Sequence, residues 1–405
     1  MEICSKDICT ACGACIEVCP RQCIRFETDD LDSLHPVIDN KRCSNCGLCH
    51  NICPNNTIPR YHFPQKVLAA WSNNCDHRET SASGGIADEL YRLFLSTGGY
   101  GVGVTFDPKS GAFFTPVKTP EDILRVKNSK YTYSYTNGIF QTIKDWLVAR
   151  QEVLFIGLPC QVAGLTNFLK KTYNNLTTVD LICHGVAPTK YIQQHITHIG
   201  KQHNIARIFW RDPIYRTHTF TFTAYNTESK LIYKNKVLSS DAYQLGYHRA
   251  LIYRDNCYKC RYAKPERVAD LTIGDFSGLG RVELCEFNNI NVSCILVNTD
   301  KGNQIIQQLG DRVTIVERPL DEALKYEQQL SAPSIPHPNR HLFISSYRHT
   351  KNFEESVKLA LSDDIKRIWF SNLSPKVYLT KLAIAVTTPK LRATIKEFLK
   401  SISRV

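Results

Sequence analysis

Cys9-Thr-Ala-Cys12-Gly-Ala-Cys15-Ile-Glu-Val-Cys19-Pro20 recurs 34 residues further on as Cys43-Ser-Asn-Cys46-Gly-Leu-Cys49-His-Asn-Ile-Cys53-Pro54. Three cysteines at C-x2-C-x2-C wrap a tight loop whose sulfurs converge on three corners of a cubane. The fourth, three residues on and followed by proline, points away and serves the other set. Two copies therefore predict two [4Fe–4S] clusters with crossed ligands: Cys9, Cys12 and Cys15 with Cys53, and Cys43, Cys46 and Cys49 with Cys19. Paired zinc sites also use C-x2-C steps, but zinc calls for no crossing fourth ligand followed by proline.

This is the run found in bacterial ferredoxins, and it places a ferredoxin-type domain at residues 1–60. That domain takes ten of the 17 cysteines in 405 residues. An odd, clustered cysteine count fits metal ligation better than a disulfide framework. Hydrophobic residues at 43% and charged ones at 22% are ordinary for a soluble globular chain. The N-terminus MEICSKDICTACGAC has no apolar signal core, and the longest uncharged stretch, Val153 to Leu169, is too short and broken to span a bilayer. A cytoplasmic location is expected. The formal charge of +12 is read as partly a counter-charge for anionic clusters. Nucleic-acid binding is not expected, because the basic residues are spread along the chain without a recognisable module.

Residues 61–80, where cysteine density collapses, read as a linker. Residues 81–340 read as mixed α/β. Ser81-Ala-Ser-Gly-Gly85 precedes a helical pattern at Ile86, Leu90, Leu93 and Phe94, and Gly101–Phe106 follows as a strand. Val153–Ile156 is a buried-type strand running into Gly-Leu-Pro-Cys160 and a helix. Thr177–Cys183 is a further strand, Thr219–Ala224 alternates like a half-exposed antiparallel one, and Val292–Val297 is another buried run. If the strands before Cys160 and Cys183 lie parallel, both cysteines share the carboxyl edge of one sheet, where α/β folds place their sites. Cys257-x2-Cys260 would then complete a third four-thiolate set. Buried structural thiols, or a redox or zinc pair at 257/260, are the alternative readings. Cys4, Cys23, Cys75, Cys285 and Cys294 are read as non-ligands. Residues 341–405 read as a helical, basic C-terminal extension. From Lys366 onward it carries nine lysines and arginines against Glu397, suited to a membrane surface or an acidic partner, or simply solvated.

The serine-glycine turn at 81–85 offers backbone N–H groups to an anion such as a diphosphate, or is an ordinary N-cap. Gly99-Tyr-Gly101-Val-Gly103 runs into a strand and not a helix, so it is no dinucleotide fingerprint.

Together SASGG (81–85), SKY (129–131), VLFIGLPCQVAGL (153–165), LICHGV (181–186), NCYKCRYAK (256–264), DLTIGDFSGLG (270–280) and NVSCILVNTDKG (291–302) resemble the beta subunits of coenzyme F420-reducing hydrogenase and F420-linked formate dehydrogenase. The resemblance implies FAD beside a [4Fe–4S] cluster held by Cys160, Cys183, Cys257 and Cys260. It implies flavin contacts from Ser81, Ser83, Gly84, Gly85, Ser129, Lys130 and Asp275. Ser277 stands where relatives often carry tryptophan, and His184 is either a flavin or cluster neighbour or a satisfied loop residue. The implied function is an iron–sulfur flavoprotein oxidoreductase. It would exchange electrons between a hydride carrier (a deazaflavin or nicotinamide) or an organic substrate and a ferredoxin-type partner or subunit. A flavin converts hydride pairs into single electrons. A non-catalytic electron-transfer subunit is the alternative. No catalytic residue is assigned.

Overall fold

The computed structural model describes residues 2–237 and 239–373, with side chains to Trp369 in the final helix. In the N-terminal module, strands β1 (Ile24–Thr28) and β2 (Leu34–Ile38) form an antiparallel hairpin with Ile24 opposite Ile38. Two short helices, Ala14–Glu17 and Leu48–Ile52, occupy matching places in the two repeats. Each starts after a glycine between the second and third cysteine, Gly13 at φ 84° and Gly47 at φ 73°. That left-handed backbone is open to glycine at little cost, and it turns the loop inward.

A nine-stranded mixed sheet follows, built from β3 (Lys66–Ser72), β4 (Tyr100–Asp107), β5 (Gly111–Val117), β6 (Ser134–Tyr135), β7 (Val153–Gly157) and β8 (Leu176–Leu181). A separate three-stranded sheet holds β9 (Ile205–Phe209), β10 (Phe222–Asn226) and β11 (Leu231–Asn235). The large sheet is completed by β12 (Leu271–Asp275), β13 (Ser293–Val297) and β14 (Val313–Arg318), in the order β14-β3-β13-β12-β8-β7-β4-β5-β6. Its centre is parallel: β12, β8, β7 and β4 run together, so their carboxyl ends share one edge. Strand β7 is buried on both faces. Leu154 and Ile156 pack toward helix Ile86–Ser96, while Val153 and Phe155 pack toward helices Ile139–Val148 and Pro159–Leu169. Two covered faces explain its unbroken apolar run.

Three sequence expectations need correction. Residues 61–80 are not a linker: β3 lies inside the sheet between β13 and β14. Its Val67, Leu68, Ala69 and Ala70 are buried, so this uncharged run is a core strand. The expected strand at Thr219–Ala224 starts at Phe222, after a 3-10 turn at Thr217–Thr219, and Phe222 to Tyr225 are buried rather than half-exposed. The stretch from 341 is helical, as Arg340–Thr350, Phe353–Ala360 and Ser362–Leu373. Its first two helices are not an appendage, because Phe343, Tyr347, Phe353 and Val357 are fully buried in the largest core cluster. Most of the basic run beyond Arg367 lies outside the described residues.

Candidate metal centres

The crossed pairing of the two repeats is visible in how the thiols group. Cys19, Cys43, Cys46 and Cys49 line one small cavity with Pro20, Gly47 and Leu48. Cys9, Cys12, Cys15 and Cys53 lie close enough to repel one another as anions. Burial pushes the Cys12 thiol up to about 12 and lifts Cys15 further. A set of buried thiols that resists ionisation alone is stabilised as thiolates by a cationic core, so the residues fit the group they were assigned. Among the described residues, no three His, Cys, Asp or Glu side chains converge tightly enough to chelate a single ion. That spacing accords with thiols arranged around a larger body.

Arg254 adds a fixed charge beside the first set. It is almost fully buried, and its guanidinium donates to Cys9 O (3.2 Å), Thr10 O (3.0 Å) and Leu34 O (2.8 Å), while its Nε finds no partner among the described residues. A buried guanidinium without a carboxylate needs compensating negative charge, and a thiolate-ligated cluster supplies it. Cys9 is the ligand held lowest, by hydrogen bonds from Cys4 and His35 and by this cation.

At the carboxyl edge of the sheet the third set comes together from three places. Cys160 follows β7 at the start of helix Pro159–Leu169, Cys183 lies two residues past β8, and Cys257 and Cys260 belong to a 3-10 turn, Asp255–Lys259, and its cap. All four line a cavity of about 130 Å³, together with Tyr133, His184, Tyr262 and Arg267. Burial and mutual repulsion raise every one of these thiols, Cys257 to about 11. Two internal clamps hold the set. Gln161 accepts from Leu158 N (3.0 Å) and donates to Ser134 Oγ (3.0 Å), which fixes the turn carrying Cys160. Buried Arg267 donates to Asp180 Oδ1 (3.0 Å) on β8 and to Tyr262 O (2.8 Å), tying the Cys257–Cys260 loop to the strand before Cys183.

The first and third sets are neighbours. A Cβ added at Gly164 would meet Cys12 Sγ at 2.9 Å, so Cys12 packs on the same helix as Cys160, one turn further along. Buried Tyr262 lies near both Cys160 and Cys12, and its hydroxyl has no partner among the described residues. The second set reaches the surface, where Cys46 is exposed beside Ser44 and Asn45, with exposed Arg21, Lys41 and Arg42 nearby in the chain.

The residues expected to touch a flavin share the sheet edge but spend their side chains internally. Ser81 Oγ donates to His77 O (2.6 Å) and Ser83 Oγ to Val292 O (3.0 Å), while Gly84 N donates to Ser293 Oγ (2.9 Å). Gly84 cannot carry a Cβ, which would fall 2.3 Å from Ala70 O, and Gly85 sits at φ 87° ahead of helix Ile86–Ser96. Ser129 lies within hydrogen-bonding reach of Tyr131. Lys130 is buried, and its Nζ donates to Val126 O (2.7 Å), Lys127 O (2.7 Å) and Asn128 O (3.1 Å), closing helix Pro120–Val126; burial holds it down to about 7. Asp275 pairs with buried Arg211 at 2.6 Å. An anion bound at this edge would meet the backbone of the 81–85 turn rather than its hydroxyls.

Ser277 takes a different role from the aromatic expected there: its Oγ donates to Glu327 Oε2 at 2.5 Å. Glu327 is buried and raised by that burial, and its Oε1 lies 3.8 Å from half-exposed His184 Nε2. Sequence reasoning did not single out Arg254, Arg267, Tyr262, Arg211 or Glu327. Arg254, Tyr262 and Arg267 were within reach, since all flank the Cys257–Cys260 pair; Arg211 and Glu327 carry no local signal.

Residues 8–57 match the family model of 4Fe-4S dicluster domains, and residues 150–323 match that of the C terminus of the coenzyme F420 hydrogenase/dehydrogenase beta subunit. Among solved structures, a chain of the F420-reducing NiFe hydrogenase complex from Methanosarcina barkeri is similar at 16% identity and TM-score 0.41, covering 75% of this chain and 91% of that one. No curated protein matches. Among the described residues, no helix is long and apolar enough to cross a membrane.

Proposed function

Because the chain belongs, through residues 150–323, to the coenzyme F420 hydrogenase/dehydrogenase beta-subunit family and carries a 4Fe-4S dicluster domain at residues 8–57, we propose that it is an iron–sulfur oxidoreductase subunit. In this reading it moves electrons between a hydride carrier or organic substrate at the sheet edge and a redox partner at the N-terminal module. The single observation that carries this reading is the contact of Cys12 with the helix that bears Cys160. It lines up three thiol sets in series, from a buried cavity to the exposed Cys46.

When bound, [4Fe–4S] clusters supply one-electron chemistry and FAD converts hydride pairs into single electrons. The chain's own residues do the rest. Cys160, Cys183, Cys257 and Cys260 would hold the third cluster in a place from which water is largely excluded. Arg254 balances negative charge on the first set, and Arg21, Lys41 and Arg42 around the second favour a partner with an acidic face. The turn at 81–85, with Asp275 and Arg211, is the edge at which a flavin would dock.

Anaerobic purification followed by iron, sulfide and flavin quantitation tests the reading. About 12 iron per chain with one FAD is expected from three four-iron clusters, and mixing with reduced F420 or NADH should bleach the flavin before the clusters respond. About 8 iron would remove the third site. A second reading, a non-catalytic electron-transfer subunit, draws on the internal use of the Ser81, Ser83 and Lys130 side chains. Full iron with no extractable FAD would select it.

A further inference from the structure

Each ferredoxin-type set has a fifth thiol. Cys23 lines the same cavity as Cys19, Cys43, Cys46 and Cys49, is nearly fully buried, and lies with its Sγ 3.4 Å from Cys19 Sγ. The chain returns it there through Gln22, whose φ of 48° and N–H bond to Cys19 O (3.0 Å) make a tight turn after Pro20. The second repeat has no thiol at that place. Thr57 stands there, and its hydroxyl is spent on Asn51 O at 2.6 Å. Instead Cys4 arrives from the N-terminal segment, within hydrogen-bonding reach of Cys9 and Cys53. Asn55 Nδ2 lies 3.8 Å from Cys4 Sγ, and Asn56 Nδ2 donates to Ile3 O at 2.7 Å, which pins this segment beside Cys53. By different routes, therefore, each of the two crossing cysteines has a spare thiol at its side.

We propose that Cys23 and Cys4 are reserve cluster ligands, each able to replace the crossing cysteine beside it, Cys19 and Cys53 respectively. In the exchange one iron–thiolate bond breaks and one forms. The incoming thiol gives up its proton, the departing thiolate takes one up, and no electron moves. The crossing cysteine is the ligand that benefits from such cover, because it comes from the other repeat and depends on the two halves staying in register. The inference rests on the crossed ligand sets of the ferredoxin-type module.

The test uses the full chain, purified without oxygen, with iron and labile sulfide counted and the reduced protein examined by low-temperature electron paramagnetic resonance. Cys19→Ser and Cys53→Ser should each keep the wild-type iron content, with a shifted resonance from one cluster. Cys19→Ser/Cys23→Ser and Cys53→Ser/Cys4→Ser should each lose about four iron, roughly a third of the total. The mismatched double variant Cys19→Ser/Cys4→Ser should keep its iron, because Cys4 serves the other set. Retention of the remaining clusters in the matched doubles reports that the chain still folds. Loss of four iron from Cys19→Ser or Cys53→Ser alone, or from Cys23→Ser or Cys4→Ser alone, would overturn the proposal, as would full iron in both matched doubles. Wild-type chain without iron would sink the ligand assignment and this inference together, whereas an iron-replete wild type with cluster loss in the single variants sinks the inference alone.

Discussion

The N-terminal module and the sheet edge gather thiols by opposite means. In the module, three of each four ligands sit within seven residues, the loops are turned by Gly13 and Gly47, and Cys46 is open to solvent. At the edge, Cys160, Cys183 and the Cys257–Cys260 pair are spread over a hundred residues and meet only because β7 and β8 are parallel and adjacent. The first arrangement is written into local spacing and tolerates a mobile surface. The second is a property of the whole sheet, so its ligands are only as well placed as the buried strands and the Arg267–Asp180 pair that orient them.

That contrast is broken most directly by removing one ligand at the edge. Cys183→Ser should cost the third cluster, about four iron, and leave the module's two clusters with their spectra intact. Equal losses from all three sites would mean that the two regions are not independent.

A packing defect should separate the regions in the same way. Phe155, fully buried on β7 against Phe114 (ring centroids 5.1 Å apart) and Phe140 (6.2 Å), underlies the strand that delivers Cys160. Phe155→Ala should destabilise the chain by about 3–5 kcal/mol in denaturant unfolding. Arg254→Met, which leaves three buried carbonyls without their donor, should cost about 3 kcal/mol. It should also lower the potential of the first cluster by removing a nearby positive charge, which spectroelectrochemistry reads separately from stability.

A smaller effect comes from a buried group remote from every thiol. His195 lies between Asp241 Oδ2 (3.0 Å from Nε2) and Glu354 Oε1 (2.5 Å from Nδ1). Burial opposes its charge, but the two carboxylates outweigh that and lift it to about 9. A histidine raised above its ordinary 6.5 contributes stability that is fully present below that value and is lost as pH rises through the folded value. Unfolding free energy should therefore fall by on the order of 2 kcal/mol between pH 6.5 and 9.5, and His195→Gln should flatten that slope without changing iron content.

Legibility follows the same division. The eight module cysteines could be grouped from the sequence because their spacing is a local consequence of loop geometry. Val153–Gly157 was readable because a strand covered on both faces must be apolar throughout. Lys66–Ser72 was missed although it is equally a core strand: it is short, begins with lysine, and lies between cysteine-poor segments with no turn signal to frame it. Its partners, β13 and β14, come more than two hundred residues later, and nothing local announces such pairing. The Asp275–Arg211 and Ser277–Glu327 pairs were invisible for the same reason, since side chains from separate loops meet only after the sheet has formed.

Tyr262 offers the finest probe of how the two regions join. Its ring packs near Tyr61, with centroids 6.3 Å apart, and its buried hydroxyl lies near Cys12 of the module and Cys160 of the edge with no partner among the described residues. A buried hydroxyl without a partner costs about 1–3 kcal/mol, a cost that a thiolate or sulfide acceptor would offset. Hydrogen bonds to cluster sulfur raise the reduction potential by stabilising the added charge. Tyr262→Phe keeps the ring and removes only the donor. It should leave iron content and unfolding midpoint nearly unchanged while shifting one cluster, the first or the third, to lower potential in a redox titration. Which of the two moves identifies the side of the junction that the hydroxyl serves. If neither moves, that hydroxyl takes no part in coupling the regions, and the contact of Cys12 with Gly164 joins them alone.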